Sequence, residues 1–245
     1  MLCAGLGFAA ALGACSSSSS GGSSAPPAVA APSAGPTVSP TMSPTMSPTA
    51  SPSLSAREKA DRRAGLRSRT VVWQAKGTLR TVAGDTRPPK GSSGRLYRVR
   101  VEVERGLDVD GRAFADFVLD TLNDDRSWSH DGAKRFARTD GAYDVRVVLA
   151  SPATSARLCR PLVTYGKLSC GSGTTAVLTM YRWVKGIPEY SKDLTGYRHY
   201  VVNHEVGHTL GHGHEYCAGK GKVAPVMMQQ TKGLKGCRPS PWPYP

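Results

Sequence analysis

The stretch "HEVGHTLGHGH", residues His204–His214, contains four of the chain's six histidines and a single acid, Glu205. On an α-helix, His204 and His208 project from one face, one turn apart. Two neutral imidazoles in that arrangement can bind the same zinc ion. The stretch therefore predicts a helix that offers two metal ligands with an acid beside them.

The third ligand has to come from beyond the helix, because a straight helix cannot bring another side chain to the same point. Gly211 is a good helix stop, and glycine lets the chain turn back towards the metal. We therefore expect His204, His208 and His214 to bind one zinc ion per chain. His212 is predicted to face solvent; it competes with His214 only if the helix ends earlier.

The helix that carries the histidines is predicted to run from about Thr195 through Leu210. Val202, Val206 and Leu210 cluster on the side away from His204. A helix that is apolar on that side is expected to pack under a cleft, with its polar face towards the opening.

The complete pattern is H-E-x-x-H-x-x-G-x-x-H, which resembles the metzincin zinc-peptidase signature. Metzincins also carry a turn with a buried methionine after the third histidine. Here "APVMMQQ" at 224–230 provides Met227 as its counterpart, with Met228 as the competing choice. The resemblance is tight from His204 to Met228. The wider C-terminal stretch also looks like a family of exported bacterial zincin-like proteins of unsettled function.

The resemblance implies an α+β fold: a mixed sheet packed on two main helices, one of which carries the motif, followed by a Met-turn subdomain. It also implies a zinc-dependent endopeptidase that hydrolyses peptide bonds with a water molecule activated by zinc and deprotonated by Glu205. Two alternatives stay open. One is a zinc amidase or peptidase acting on cell-wall peptides, and the other is a non-catalytic zinc-containing binding module at the cell surface.

One position departs from the metzincin pattern. Some metzincins have a tyrosine two residues after the turn methionine, where it helps to bind zinc or the transition state, and this chain has Gln229. Four tyrosines are possible substitutes: Tyr197, Tyr200, Tyr216 and Tyr244.

Hydrophobic patterning ahead of the motif predicts alternating strands and helices. Residues 96–104, "LYRVRVEVE", alternate as in a strand with one buried face. Residues 110–124 have helical spacing behind an aspartate suited to capping. Residues 143–150 and 174–184 are further strand candidates, and 70–82 is expected to form a hairpin.

The N-terminal segments indicate export. Residues 1–15 form a short apolar run typical of an export signal, and their end, "LGAC", resembles a lipobox in which Cys15 carries the lipid. Ordinary secretion is the alternative. Residues 16–56, rich in Ser, Pro and Thr, predict a disordered tether. Residues 57–245 are the predicted zinc metallopeptidase-like domain, with 57–94 as an N-terminal extension or hairpin.

Export predicts an oxidising environment, at the outer face of the cytoplasmic membrane if the protein is lipid-anchored. Four cysteines in the folded part allow three pairings. Proximity favours Cys159 with Cys170 and Cys217 with Cys237. A cysteine-rich zinc site is the rival interpretation, although no C-x-x-C pair is present.

The net charge of +14 falls entirely after residue 56. It predicts attraction to anionic cell-wall polymers, whereas no nucleic-acid-binding pattern accompanies it. The expected partners are therefore a protein or peptide substrate and anionic polymers, with membrane contact only through the lipid anchor, and the chain is expected to be a monomer. The basic segment 56–69 is expected to be a solvated helix or linker, with a processing site or short pro-segment as the alternative.

Overall fold

The structure is a computed structural model that describes residues 53–88 and 93–245. Three predictions lie outside the described residues, namely the export signal, lipidation at Cys15 and the part of the disordered tether up to residue 52. The described chain is α+β, with a mixed sheet of six strands. Its elements are α1 Ala56–Arg63, β1 Leu79–Thr81, β2 Arg95–Glu104, α2 Gly111–Leu122, β3 Lys134–Arg138, β4 Val145–Ala150, α3 Pro152–Leu158, β5 Cys170–Ser172, β6 Thr175–Thr179, α4 Met180–Lys185 and α5 Leu194–Thr209.

The sheet has the order β1-β2-β4-β6-β5, and β3 also pairs with β2. The strands β2, β3, β4 and β6 run parallel, whereas β1 pairs antiparallel with β2 and β5 antiparallel with β6. Helix α5 packs against β5 and β6, and α2 packs against β2, β3 and α5. The sheet and these two longest helices therefore enclose the main core.

Strand β2 follows the predicted alternation only in part. Its inward valines are buried, namely Val99, Val101 and Val103. Glu102 and Glu104 on the other face are buried as well, so the prediction of one solvated face is wrong here. Glu102 pairs with Arg146 at 2.6 Å, and Glu104 accepts hydrogen bonds from the backbone of Gly77 and Ser151, each at 2.7 Å. These partners satisfy carboxylates that would otherwise be costly to bury.

Two strand predictions need correction. Residues 174–184 do not form one strand, because β6 ends at Thr179, whose side chain accepts a hydrogen bond from the Tyr181 amide and caps α4. A short apolar run does not distinguish a buried strand from a buried helix. Residues 70–82 do not form a hairpin either; only β1 is a strand, and it pairs with the end of β2.

The basic segment 56–69 is not merely solvated. Its helix α1 begins at a capping box formed by Ser55, and Asp61 is buried between two arginines. Asp61 Oδ1 lies 2.8 Å from Arg198 Nη2 on α5 and 3.0 Å from Arg69 Nη2. The segment is therefore part of the folded domain.

Both disulfides favoured by proximity are confirmed: Cys159–Cys170 and Cys217–Cys237. The first closes the loop 160–169, and the second encloses the segment 224–230. None of the helices among the described residues has the length and apolar character that a membrane span requires.

Helix α5 begins and ends within one residue of its predicted bounds. Asp193 caps it by accepting a hydrogen bond from the Gly196 amide at 2.7 Å. Val202 is fully buried, as expected, but so is the opposite side around Tyr200 and His204. The prediction of an open polar face is therefore wrong for most of the helix, since the sheet covers one side and the C-terminal segment the other.

Candidate metal centre

The three predicted metal ligands lie together at the C-terminal end of α5. One ligand atom from each of His204, His208 and His214 lies within 4.8 Å of the others. The ring centroids of His204 and His208 are 4.8 Å apart, and those of His208 and His214 are 4.7 Å apart. The helix supplies two imidazoles, and the returning chain supplies the third.

Backbone carbonyl groups orient the two helical histidines. His204 Nδ1 lies 2.9 Å from the carbonyl oxygen of Val226, and His208 Nδ1 lies 2.9 Å from that of His212. A carbonyl oxygen only accepts hydrogen bonds, so each Nδ1 carries the proton and donates it. Both Nε2 atoms are therefore left as lone-pair donors, which is the form that binds a metal ion.

The protein environment also favours neutral imidazoles. Burial lowers the pKa of His204 to about 3. The pKa of His214 is lowered by desolvation and by the neighbouring His208. A neutral histidine can ligate a metal ion without first losing a proton. The donor set therefore fits a divalent ion such as zinc.

Glu205 lies in the same cavity as the three histidines, which has a volume of about 240 Å³. Its side chain is buried, and burial alone raises its pKa to about 8. A carboxyl with a pKa in that range can both accept and release a proton near neutral pH. The arrangement thus places a proton-transfer group beside a potential metal site.

The chain leaves the helix by a tight reversal. Gly211 has a φ of 92°, which a residue with a Cβ rarely adopts. The His212 amide donates to the carbonyl of Gly207 at 3.0 Å, and the exposed His212 ring stacks on Trp128 at 4.3 Å. Trp128 in turn donates from Nε1 to the carbonyl of Asn203 at 3.0 Å. His212 is thus exposed, as predicted, but its backbone helps to build the site.

The turn at 225–228 lies against α5 and is closed by a hydrogen bond from the Met228 amide to the Pro225 carbonyl at 3.0 Å. Met227 is 1% exposed and contacts the helix where Gly207 lacks a side chain. A Cβ at Gly207 would lie 2.5 Å from Met227 Sδ. The Glu215 amide donates to the Met227 carbonyl at 3.1 Å, which ties the segment after the third histidine to this turn.

Of the four tyrosines considered as substitutes at the site, Tyr200 is the one that lines the cavity. Its ring centroid is 5.4 Å from that of His204. Its hydroxyl donates to the Met228 carbonyl at 2.9 Å and accepts from the Gln230 amide at 2.9 Å. Tyr200 therefore braces the turn, and Gln229 lines the cavity.

The other tyrosines lie elsewhere. Tyr197 places its hydroxyl 3.0 Å from Thr231 Oγ1. Tyr216 is 84% exposed, and Tyr244 stacks on His130 at 4.4 Å. None of these three lines the cavity that contains the histidines.

Sequence reasoning missed most of the residues that line the cavity beside the histidines. On one side, β5 approaches α5 so closely that a Cβ at Gly171 would lie 2.3 Å from the Glu205 carbonyl oxygen. Leu162, Val163 and Thr164, from the loop that ends at β5, also line this wall. Thr231 and Lys232 also line the cavity, together with Gln229, which the sequence pattern had already indicated. The cysteines flanking the loop were the one sequence signal that marked it.

Comparison with known proteins places the chain in a family without adding a function. No curated protein matches the chain, and no solved structure matches it. A family model described as "Protein of unknown function (DUF3152)" matches residues 67–245. The matched part contains the three histidines, Glu205 and both disulfides, and it begins after α1. The chain therefore belongs to the family described as Protein of unknown function (DUF3152).

Proposed function

We propose that this protein is a zinc-dependent endopeptidase related in architecture to the metzincins. One observation carries the proposal: three histidines lie together in one cavity with a buried carboxyl group. In His204 and His208 the Nδ1 atom donates to a carbonyl oxygen, so Nε2 is available to bind a metal ion. Met227 packs against the helix at Gly207, and this contact supports the proposed Met-turn. Catalytic zinc sites in proteins commonly use three protein ligands and leave a position for water.

The chain's own residues supply orientation and proton transfer in this proposal. His204, His208 and His214 would hold the zinc ion, which when bound acidifies water and polarises a carbonyl group. Glu205 takes the proton from the attacking water and delivers it to the leaving amine. Its buried position removes competing solvent from the carboxyl group.

Two alternatives rest on specific features. An amidase or peptidase acting on cell-wall peptides is favoured by the net charge of +14 and by Lys232 at the cavity wall. A non-catalytic binding module is favoured by Gln229, which lines the cavity where a tyrosine would be expected, and by the fully engaged hydroxyl of Tyr200.

We also propose an exported, monomeric protein that is lipid-anchored at the cell surface through Cys15. The two disulfides support this, because disulfides persist mainly in oxidising compartments. Mass spectrometry of the mature N-terminus tests it. A lipid-modified Cys15 at the N-terminus is expected, and a mature chain that begins elsewhere without lipid would contradict the anchor.

The enzymatic proposal is tested with the full chain, an unfolded protein substrate and a matched pair of variants. The wild-type chain is expected to bind one zinc ion and to cleave the substrate. Glu205→Gln should keep the zinc and lose cleavage, whereas Glu215→Gln should keep both, since Glu215 is exposed and contributes through its backbone. Cleavage by Glu205→Gln at the wild-type rate would refute the proposed role.

A zinc-loaded chain that cleaves neither proteins nor cell-wall peptides would favour the binding module. Cleavage confined to cell-wall peptides would favour the first alternative.

A further inference from the structure

We propose that the loop 160–169, called here the cleft loop, selects peptides that combine a bulky apolar residue with acidic residues. The inference rests on the proposed function in one respect only, namely that the metal cavity is a peptide site. It concerns which peptides bind and not how they are cleaved.

The cleft loop exposes an unusual amount of apolar surface beside the cavity. Leu162 is 57% exposed, Val163 is 70% exposed and Tyr165 is 78% exposed. A single exposed apolar side chain is ordinary, but three within four residues at the rim of a cavity are typical of a binding surface. The exposed group therefore offers contacts for an apolar side chain of a bound peptide.

The backbone holds this loop in place. Tyr165 has a φ of 50°, in the left-handed region that is unfavourable for a residue with a side chain. The next residue, Gly166, lies so close to Pro152 that a Cβ would be 2.6 Å from the Pro152 carbonyl oxygen. Thr179 Oγ1 donates to the Gly166 carbonyl at 2.7 Å. A strained residue whose ring is exposed gains little from packing, which points to a role in contact with a ligand.

The cleft loop separates the metal cavity from a second groove of about 710 Å³. Leu162, Val163 and Thr164 line both spaces. An extended peptide that passes the histidines can therefore continue over these residues into the second groove.

Charge along this path is positive. Arg157 and Arg160 line the second groove, and Lys232 lines the metal cavity. Glu205 is the one acid among the lining residues of the two spaces, and it is buried. Arg160 is exposed and has no ion pair within the described part of the chain. Acidic residues of a peptide are therefore attracted to this path, and basic residues are repelled.

The test measures binding, so that it does not depend on hydrolysis. The zinc-loaded full chain carrying Glu205→Gln is titrated into three labelled peptides of equal length by fluorescence anisotropy. One peptide has a central leucine with flanking glutamates, the second has lysines in place of the glutamates, and the third has serine in place of the leucine. The first should bind at least about tenfold more tightly than either of the others. Equal affinity for all three would overturn the inference.

Loop variants locate the effect. Leu162→Ser with Val163→Ser should remove the preference for leucine, and Arg160→Glu should remove the preference for glutamate. Tyr165→Asn keeps a residue that tolerates the left-handed conformation and should weaken binding of the first peptide. Tyr143→Asn is the matched control and should leave binding unchanged. Tyr143 is also exposed, but it precedes the first residue of β4, whereas the cleft loop follows the last.

The outcomes separate this inference from the proposed enzyme. Selective binding that the loop variants abolish, without cleavage by the wild-type chain, supports the cleft loop and refutes the endopeptidase. Cleavage with an unchanged peptide preference in every loop variant supports the endopeptidase and refutes the cleft loop.

Discussion

His204 Nδ1 donates a hydrogen bond to the carbonyl oxygen of Val226 over 2.9 Å, so the first histidine of the motif is oriented by the residue immediately before Met227. Met227 in turn packs against Gly207, three residues further along the same helix. The helix and the turn therefore position each other, and a change in their contact is expected to affect both stability and metal binding.

Replacing Gly207 by alanine tests that contact. Its new Cβ would lie 2.5 Å from Met227 Sδ and 2.7 Å from Trp128 Cζ2, and both side chains are buried. Overpacking of this kind costs about 1–3 kcal/mol of unfolding free energy, which outweighs the better helix propensity of alanine, worth about 1 kcal/mol. Gly213→Ala is the control, because nothing lies within 4 Å of its Cβ position. Urea denaturation that finds Gly207→Ala as stable as wild type would contradict the packing.

Replacing Asp61 by asparagine is expected to destabilise the domain by about 3–5 kcal/mol, because it leaves the buried Arg198 guanidinium group without its carboxylate partner. Asp125→Asn, an exposed acid, is the control and should be nearly neutral. The measurement is the free energy of unfolding in urea. An unchanged value for Asp61→Asn would instead favour the pro-segment interpretation of 56–69.

Stability should fall in mild acid because of His199. Its ring centroid lies 4.6 Å from that of Phe117 and 4.8 Å from that of Trp242, and burial lowers its pKa from the ordinary value of 6.5 to about 4. The unfolded chain therefore binds more protons than the native chain between those values, and stability is lost as pH falls from about 6.5 to 4. The loss from this residue between pH 7 and 5 is expected to be about 2 kcal/mol.

Comparing wild type with His199→Phe isolates that contribution, since the other titrating groups are shared. The variant should lose less stability than wild type between pH 7 and 5 in urea denaturation. Identical pH dependence of the two proteins would show that His199 is not the source.

Zinc binding should depend on the His214 side chain and not on that of its neighbour His212. His214→Ala is expected to lower zinc affinity by at least about tenfold and to abolish most of the stabilisation that zinc gives to the native chain. His212→Ala is the matched control, because the carbonyl that orients His208 is retained. Zinc stoichiometry and thermal unfolding with and without a chelator measure both effects. Loss of zinc in His212→Ala with retention in His214→Ala would reverse the ligand assignment, and equal loss in the two variants would contradict the choice of His212 as a control.

Local patterns were sufficient to predict the centre of the site. The four-residue spacing of His204 and His208 fixes their common face on any α-helix, and Gly211 supplies the turn that follows. The bounds of α5 and both disulfides depend on similarly short-range signals. The roles assigned to Glu205 and the metal remain predictions.

Contacts between distant segments were not predictable from such patterns. Asp61 and Arg198 are 137 residues apart in sequence, and neither residue type indicates burial by itself. The bracing of the turn by Tyr200 and Gln230, and the wall formed by the cleft loop, likewise depend on tertiary packing. The strand prediction for 174–184 was wrong because periodicity in a short apolar run fits both a strand and a helix.

The carbonyl group of residue 212, not its imidazole ring, orients His208. Every amino acid carries that carbonyl, so a chain with asparagine or lysine at this position would keep the same ligand geometry. A search for similar sites should therefore leave position 212 unrestricted while requiring glycine at 207 and 211. Met227 and Trp128 leave no room for a side chain at 207, and the left-handed backbone at 211 sets the course of the third ligand.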